Sequence, residues 1–283
     1  MTTRNLKKLL RTVQTCFPAL LETKFRVMRF YRNFFGVPFE NDFNALALFP
    51  EQPGALYLDV GANRGQSTDA ILMKRAGVKI QLFEPNHELC DGLVKMFGEV
   101  PNVEINNFGL GDESAEDILV VPSYKKWLFD GLGSFREAEA RDWLRGRMFF
   151  FKEKHLRLHR SRSRVERLDD LNLAPLFIKL DIQGYELRAL KGGEKTIVTH
   201  EPVLLIESPG DELVAYLGDL GFHMFAFRRG RFVPGERGAP NTFFMTSSRA
   251  ALVRSYIRNA RADYPAAAPG YASVRKCPGS LFR

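Results

Sequence analysis

The chain has 283 residues, 45% hydrophobic and 26% charged. That length allows one large domain or two small ones, and the composition excludes a disordered chain, a collagen-like fibre and a disulfide scaffold. Lys and Arg number 41 against 33 Asp and Glu, a formal net charge of +8, which taken alone points to a nucleic-acid or anionic-membrane partner.

The charge is unevenly placed. Residues 1–35, 136–168 and 249–283 carry net charges of +7, +6 and +6, so the other 180 residues sum to −11. An acidic body with three basic attachments says little, through its bulk charge, about what the body binds. The cysteines Cys16, Cys90 and Cys277 are too few and too scattered for a disulfide framework or a zinc site, and a reducing cytoplasm is the expected location. Leu6 to Leu21 is interrupted by Lys7, Lys8, Arg11 and Pro18, so no secretory signal is expected. No stretch approaches the ~20 apolar residues of a membrane span.

At the N-terminus, Leu6, Leu9, Leu10 and Val13 recur at helical spacing, as do Leu21, Phe25, Met28 and Phe35, with Pro18 between the two sets. Two basic amphipathic helices are predicted. Two readings stay open for them: packing on the main domain, or an arm that lies on an anionic membrane surface or a partner. Ala55–Val60 then reads as a buried strand, Gln66 to Ala76 as a helix, Val78–Phe83 as a second strand, His87 to Phe97 as a helix and Val103–Asn106 as a third strand. Short apolar strands alternating with longer helices imply a parallel sheet with right-handed crossovers.

After Ile118–Val121, a hairpin-type strand, residues 123–164 read as an irregular, aromatic and basic insertion. Order resumes with a strand at Phe177–Asp181, a helix from Tyr185 to Thr199, a strand at Val203–Ile206 and a helix from Glu212 to Leu220. Phe222–Phe227 and Thr242–Met245 close the sheet, with one antiparallel edge strand expected. The tail is read as helical to about Ala262 and then as Pro/Ala/Gly-rich and poorly ordered.

In an open α/β sheet, ligands bind at the carboxyl ends of the strands near the topological switch point. The first strand ends in Asp59-Val-Gly61-Ala-Asn63-Arg-Gly65, where glycine permits a sharp turn and the helix that follows offers free N–H groups. An acid just before these glycines would repel a pyrophosphate and suits a ligand with a cationic amino group. Glu84, ending the second strand about twenty residues on, can accept hydrogen bonds from both ribose hydroxyls of an adenosine. Phe108 or Leu110, after the third strand, could lie against an adenine. Lys179 and Asp181 share one side of the fourth strand, with Asp181 at its mouth, and a charged pair there is costly unless paired or functional. Glu207, just past the fifth strand, could join Asp181 as a general base or as an oxygen site for a divalent cation.

These segments, with Gly109-Leu-Gly-Asp112, Val165–Leu171, Ile178–Glu186 and Leu204–Glu207, resemble in order and spacing the FkbM-family methyltransferases. The resemblance covers about Leu56 to Ser247. It implies an S-adenosylmethionine-dependent O-methyltransferase with a Rossmann-like, doubly wound, mostly parallel α/β sheet of the class I methyltransferase type. On this division residues 1–54 form a helical arm, 55–248 the methyltransferase domain with its insertion at about 123–164, and 249–283 a C-terminal helix and tail. The arm, the insertion and the tail are unmatched and inherit nothing.

The resemblance implies that Asp59, Gly61, Asn63, Gly65, Gln66 and Ser67 form the cofactor loop and helix start. Glu84 and Pro85 then hold the ribose, with Phe108 and Gly109 beside the adenine. Asp181 is expected near the donor sulfonium and as catalytic base, with Glu207 as the alternative and His200 and His223 as weaker ones. Gln183 stands where family members often carry Glu. The implied acceptor is a hydroxyl of a sugar, glycan or polyketide-like metabolite, and the basic insertion hints that it is anionic. Tyr124, Trp127, Phe129, Trp143, Phe149–Phe151 and Arg157, Arg160, Arg162 and Arg164 would form part of its pocket, as stacking faces and anion partners. Gly131–Phe135 could be a flexible lid.

No metal is expected, although a divalent ion is left open. A nicotinamide-dependent dehydrogenase is disfavoured by the Gly-x-x-x-Gly turn after an acid. An RNA methyltransferase is disfavoured by the acidic body, and a non-enzymatic adaptor by the retained Asp59, Glu84 and glycines. Localisation is expected to be cytoplasmic, with peripheral membrane contact through the N-terminal helices left open.

Overall fold

The strand Leu56–Val60 (β1) is the axis of the molecule, and its sequence explains its place. Leu-Tyr-Leu-Asp-Val is buried from Tyr57 onward, the near-continuous burial of a strand covered on both faces. In this computed structural model, which describes residues 3–15, 17, 20–145 and 147–258, two helices precede β1, α1 (Thr3–Gln14) and α2 (Leu20–Phe35). After β1 come α3 (Gln66–Lys74), β2 (Lys79–Phe83), α4 (His87–Phe97) and β3 (Val103–Asn106). The main sheet pairs β1 in parallel with β2, and β2 with β3, with Val60 opposite Phe83 and Phe83 opposite Asn106.

The chain then leaves this sheet. Strands β4 (Gly109–Leu110), β5 (Ala115–Tyr124), β6 (Trp127–Leu128) and β7 (Leu156–Glu166), with the short helix α5 (Glu137–Asp142), make a second sheet in the order β4-β7-β5-β6. The irregular insertion expected at 123–164 is therefore corrected. β5 and β7 form an antiparallel ribbon from Ala115 opposite Val165 to Tyr124 opposite Leu156. Tyr124, Trp127 and Phe129 are buried with Leu132, Leu144 and Met148 in a small core of its own. Those rings hold the insertion together and are not free to stack on an acceptor.

The chain returns with β8 (Pro175–Leu180), α6 (Glu186–Lys191), α7 (Glu194–His200), β9 (Val203–Glu207), α8 (Asp211–Asp219), β10 (His223–Arg228), β11 (Arg231–Pro234), β12 (Asn241–Met245) and α9 (Ser247–Leu252). The single helix expected over 185–199 is divided at Gly192-Gly193. A Cβ on Gly192 would lie 1.8 Å from the Gly111 carbonyl oxygen and one on Gly193 2.8 Å from Leu168, so the chain passes its neighbours too closely for an unbroken helix with side chains.

The main sheet has the order β11-β10-β12-β9-β8-β1-β2-β3. Strands β1, β2, β3, β8 and β9 are parallel, while β12 runs antiparallel between β9 and β10. The expectation of one antiparallel edge strand is corrected to an interior β12 and an outermost β11. A two-residue loop, Arg229-Gly230, joins β10 to β11 with φ of 52° and 76°, the doubly positive geometry of a tight hairpin turn. The fold is the mostly parallel, Rossmann-like sheet expected. From β1 the chain winds outward through β2 and β3 and returns on the other side at β8, so the switch point lies between β1 and β8.

Apolar layers cover both faces of the sheet, one including Ile71, Leu93, Phe97 and Phe243 and the other Leu58, Leu190, Ile197 and Leu217. α1 packs on the insertion, where the Phe149 N–H donates to Thr12 Oγ1 (2.9 Å) and the Arg11 guanidinium lies over Trp143. α2 is tied to α3 by Arg29 and Asp69 (2.7 Å). The predicted helix to Ala262 ends, as far as described, with α9 and a 3-10 turn at Arg254–Tyr256. Residues 259–283, with Cys277, and Cys16 lie outside the described residues.

Candidate active site

The loop after β1 is shaped by close approach. Gly61 has φ 81°, and a Cβ there would lie 2.1 Å from the carbonyl oxygen of Asp181, so the loop touches the end of β8 and only glycine fits. Gly65, with φ 76°, sits against the Phe97 ring and starts α3. Asp59 faces inward. It is fully buried, and its Oδ2 accepts hydrogen bonds from Ser67 Oγ (2.6 Å) and Thr68 Oγ1 (2.7 Å). Burial pushes its carboxyl up, against the pull of Lys179 and the two hydroxyls. Asp59 and Ser67 thus fasten the first turn of α3 to β1, and Asp59 Oδ1 is buried with no hydrogen-bond partner.

At the end of β2, Glu84 is buried and braced at both oxygens, by the N–H of Asn63 (2.8 Å) and that of Asn86 (2.9 Å). Burial pushes it up to about 7, opposed by those N–H groups. A carboxylate has about four lone-pair sites, so each oxygen keeps one for a ligand. The pocket in front of Glu84 is lined by Gly61, Asn63, Pro85 and Gly109 on one side and by Asp130–Phe135 and Asp181–Gln183 on the others. It holds about 40 Å³ of free space, well below the ~300 Å³ and more of an open small-molecule site.

The segment Asp130–Phe135 is what closes it. Arg64 Nε donates to Asp130 Oδ2 (2.9 Å), and Ser134 Oγ donates to the Gln183 carbonyl (2.8 Å). Ser134 and Val120 exchange backbone hydrogen bonds. The Phe135 ring lies against Tyr185 (5.2 Å between centroids) and so close to Gly109 that a Cβ there would be 2.7 Å from it.

Asp181 stands just past β8, its N–H donating to the Val60 carbonyl (3.0 Å). Its Oδ2 lies 3.0 Å from Lys179 Nζ and its Oδ1 accepts from Gln183 Nε2 (2.7 Å). Burial alone would raise Asp181, but Lys179 and the hydrogen bonds from Glu207, Lys179 and Gln183 hold it below the usual carboxylate value. Glu207 moves the other way. Burial and its hydrogen bond to Asp181 push it up to about 9, so at neutral pH Glu207 carries the proton and Asp181 the charge. Glu40 and Asp42 stand behind this pair, both bonded by Asn241 Nδ2 (2.6 and 3.1 Å).

Of the residues singled out in the sequence, Gly61, Asn63, Glu84, Pro85, Gly109 and Asp181 share the pocket wall. Asp59, Gly65 and Ser67 lie behind it. Gln66 faces a second cavity, and Phe108 packs edge-on against Phe83 (5.5 Å) under the Arg164 guanidinium. His200 ends α7 before β9 starts, at the opposite end of that strand from Glu207, and exposed His223 bonds Ser247 (3.2 Å). Asp130 belongs to the site without a local signal, and although Arg64 and Tyr185 lie in segments singled out in the sequence, their partners Asp130 and Asp117 are 66 and 68 residues away. Glu186, whose Oε1 accepts from the N–H groups of Ile182 (3.0 Å) and Gly184 (3.2 Å), braces the loop after Asp181.

Among the described residues there is no cluster of three or more His, Cys, Asp or Glu side chains placed to hold a metal ion. No described helix is long and apolar enough to cross a membrane.

A family model described as "Methyltransferase FkbM domain" matches residues 59–224. No curated protein sequence matches the chain. Among solved structures, a methyltransferase FkbM from Methylobacillus flagellatus KT is similar at 17% identity and TM-score 0.44, over 69% of this chain and 48% of that one. The chain thus spans about half the length of that neighbour. A precorrin-6y C5,15-methyltransferase from Geobacter metallireducens GS-15 is similar at 12% identity and TM-score 0.36, over 71% and 83% of the two chains. A Streptococcus mutans protein solved in complex with SAH is similar at 8% identity and TM-score 0.39, over 74% and 96%. Likenesses this distant carry no argument about substrate.

Proposed function

The chain belongs to the FkbM methyltransferase family, and from that premise we propose that it moves a methyl group from S-adenosylmethionine to a hydroxyl of a sugar, glycan or related metabolite. The observation that carries this reading is Asp181, held ionised by Lys179 at the pocket mouth, on the rim that Gly61 and Glu84 also line.

The residues present suit that donor. Glu84 keeps an acceptor site on each oxygen for the ribose hydroxyls. Gly61 lines the pocket and brings no side chain into it. Asn63 Oδ1 is buried without a hydrogen-bond partner, and an ammonium donor would satisfy it. S-adenosylmethionine, when bound, supplies an electrophilic methyl on a sulfonium that is already a good leaving group. The protein must then align the acceptor oxygen and accept its proton.

Asp181 suits that role through its charge. A carboxylate held below its usual value is a weak base in the ground state, but it orients a hydroxyl by accepting its hydrogen bond. It takes the proton as the oxygen becomes acidic during transfer. Glu207, already protonated, cannot accept a proton. It holds Asp181 in place through the hydrogen bond it donates. The closed segment Asp130–Phe135 must move for a nucleoside-sized donor to enter.

Calorimetric titration with S-adenosylmethionine and with NAD tests the donor, and NAD binding without S-adenosylmethionine binding would overturn the reading. Radiolabelled donor with a panel of glycans and polyketides identifies the acceptor, and label found only on RNA or on protein would replace the proposed class.

A further inference from the structure

The helix α2 is built inside out. A surface helix ordinarily turns its apolar stripe to the core. Here the side facing α3 and α4 carries Arg29, Arg32 and Phe25. Arg29 pairs in two-pronged fashion with Asp69 (2.7 and 2.9 Å) and lies over Phe97 (5.0 Å). Arg32 lies 5.7 Å from the Phe39 ring centre, and Phe25 sits beneath the Arg64 guanidinium (4.5 Å).

The opposite side presents Val27, Met28, Phe30, Tyr31, Phe34 and Phe35, each 40–72% exposed. The rings touch one another, Phe30 with Phe34 (5.9 Å) and Tyr31 with Phe35 (4.6 Å), so they form one continuous patch. Because Arg29 and Asp69 fix the inner face, the helix cannot roll this patch inward without breaking a part-buried, charge-assisted pair. Contiguous exposed apolar surface of this kind marks an interaction site.

We propose that this face docks on an anionic lipid surface. Charge selects the occupant. Residues 1–35 carry net +7, and a second copy of the chain would bring the same charge against it. Phosphate headgroups complement it, and aromatic side chains flanked by arginine suit the boundary between headgroups and acyl chains. A cavity of about 590 Å³ opens between α2 and helices α3 and α4, lined by Arg26, Arg29, Arg32, Arg64 and Lys95 among others. Asp69, Asp130 and Glu88 line it too, and the first two are paired with Arg29 and Arg64, so the basic groups it offers to headgroup phosphates are Arg26, Arg32 and Lys95. The arm therefore lies along the surface and does not span it.

Flotation of the full chain with vesicles tests the proposal independently of methyl transfer. The chain floats with phosphatidylglycerol-rich vesicles, weakly with phosphatidylcholine alone, and loses the difference as salt rises. The pair Phe30→Ser and Phe34→Ser lowers partitioning by about 100-fold, the loss of two buried aromatic side chains. The change Arg26→Gln reduces the salt dependence. Thermal midpoint and donor titration stay at the parental values in both, since these side chains are exposed. Three results would each overturn the proposal: no flotation with anionic vesicles, unchanged flotation of the phenylalanine variant, or a concentration-dependent dimer in lipid-free solution that this variant dissolves.

Discussion

Lys179 Nζ lies 3.0 Å from Asp181 Oδ2, and the lysine is 2% exposed. The charge of Asp59 also bears on it, so one ammonium is shared among the acids at this sheet edge. Lys179→Met leaves the acids buried without their cation, and breaking one side of a buried pair costs about 3–5 kcal/mol. Asp181 is held below its unfolded value, so its contribution is present above that value and lost as pH falls through the folded one. Urea unfolding of K179M should therefore show its largest deficit near neutrality, narrowing on acidification.

The Phe135 ring occupies the space between Gly109 and Tyr185 in front of Glu84. Removing it lowers the cost of opening the pocket, and apparent affinity rises in proportion to the open fraction. Phe135→Ala should tighten S-adenosylmethionine binding by up to about tenfold and speed association in stopped-flow measurements. Weaker binding would mean instead that the ring stacks on the bound adenosine.

The sheet and the polar strand ends around the candidate site are legible because each is written locally. Asp59 to Gly65, Phe83-Glu84-Pro85 and Lys179 to Asp181 are short apolar strands followed at once by polar residues or glycine. Of the ribbon, Ile118–Val121 in β5 reads as a strand, whereas β7 does not, because its apolar content is low. Its signal is a period of two, Arg160-Ser-Arg162-Ser-Arg164-Val165, with Ser163 and Val165 buried while the arginines are exposed. Periodicity also shows that α2 has two faces but not which one turns inward. That choice is made by Asp69, forty residues away. The glycines of Gly131–Phe135 suggest a lid, but the groups that hold it shut, Arg64 on Asp130 and the Gln183 carbonyl on Ser134, are distant in sequence.

Glu84 gives a second pH signature, opposite in sign to that of Asp181. Its folded value is raised from 4.5 to about 7 by burial, so the folded state binds more protons between those limits. Its contribution is fully present below the unfolded value and lost as pH rises through about 7. The loss amounts to about 3 kcal/mol. Glu84→Gln should flatten the stability curve across that window in denaturant titrations. In wild type, donor affinity should grow over the same range, as ionised Glu84 becomes the better acceptor for ribose hydroxyls.

The Asp181–Glu207 pair separates a base from a proton holder. With Glu207 pushed up to about 9 and Asp181 held down, the pair shares one proton across the neutral range. Asp181→Asn removes the acceptor and should reduce kcat by roughly 10²–10⁴-fold while donor affinity is retained. Glu207→Gln keeps a neutral hydrogen-bond donor to Asp181, so activity at neutral pH should survive within a few-fold. Wild type should show an alkaline inflection near 9, where the second carboxylate ionises beside the first, and E207Q should lack it. The pH profile of kcat for the two variants decides between the roles. Equal collapse of both, or an E207Q enzyme that alone loses turnover, would make Glu207 the base and Asp181 the group that positions it.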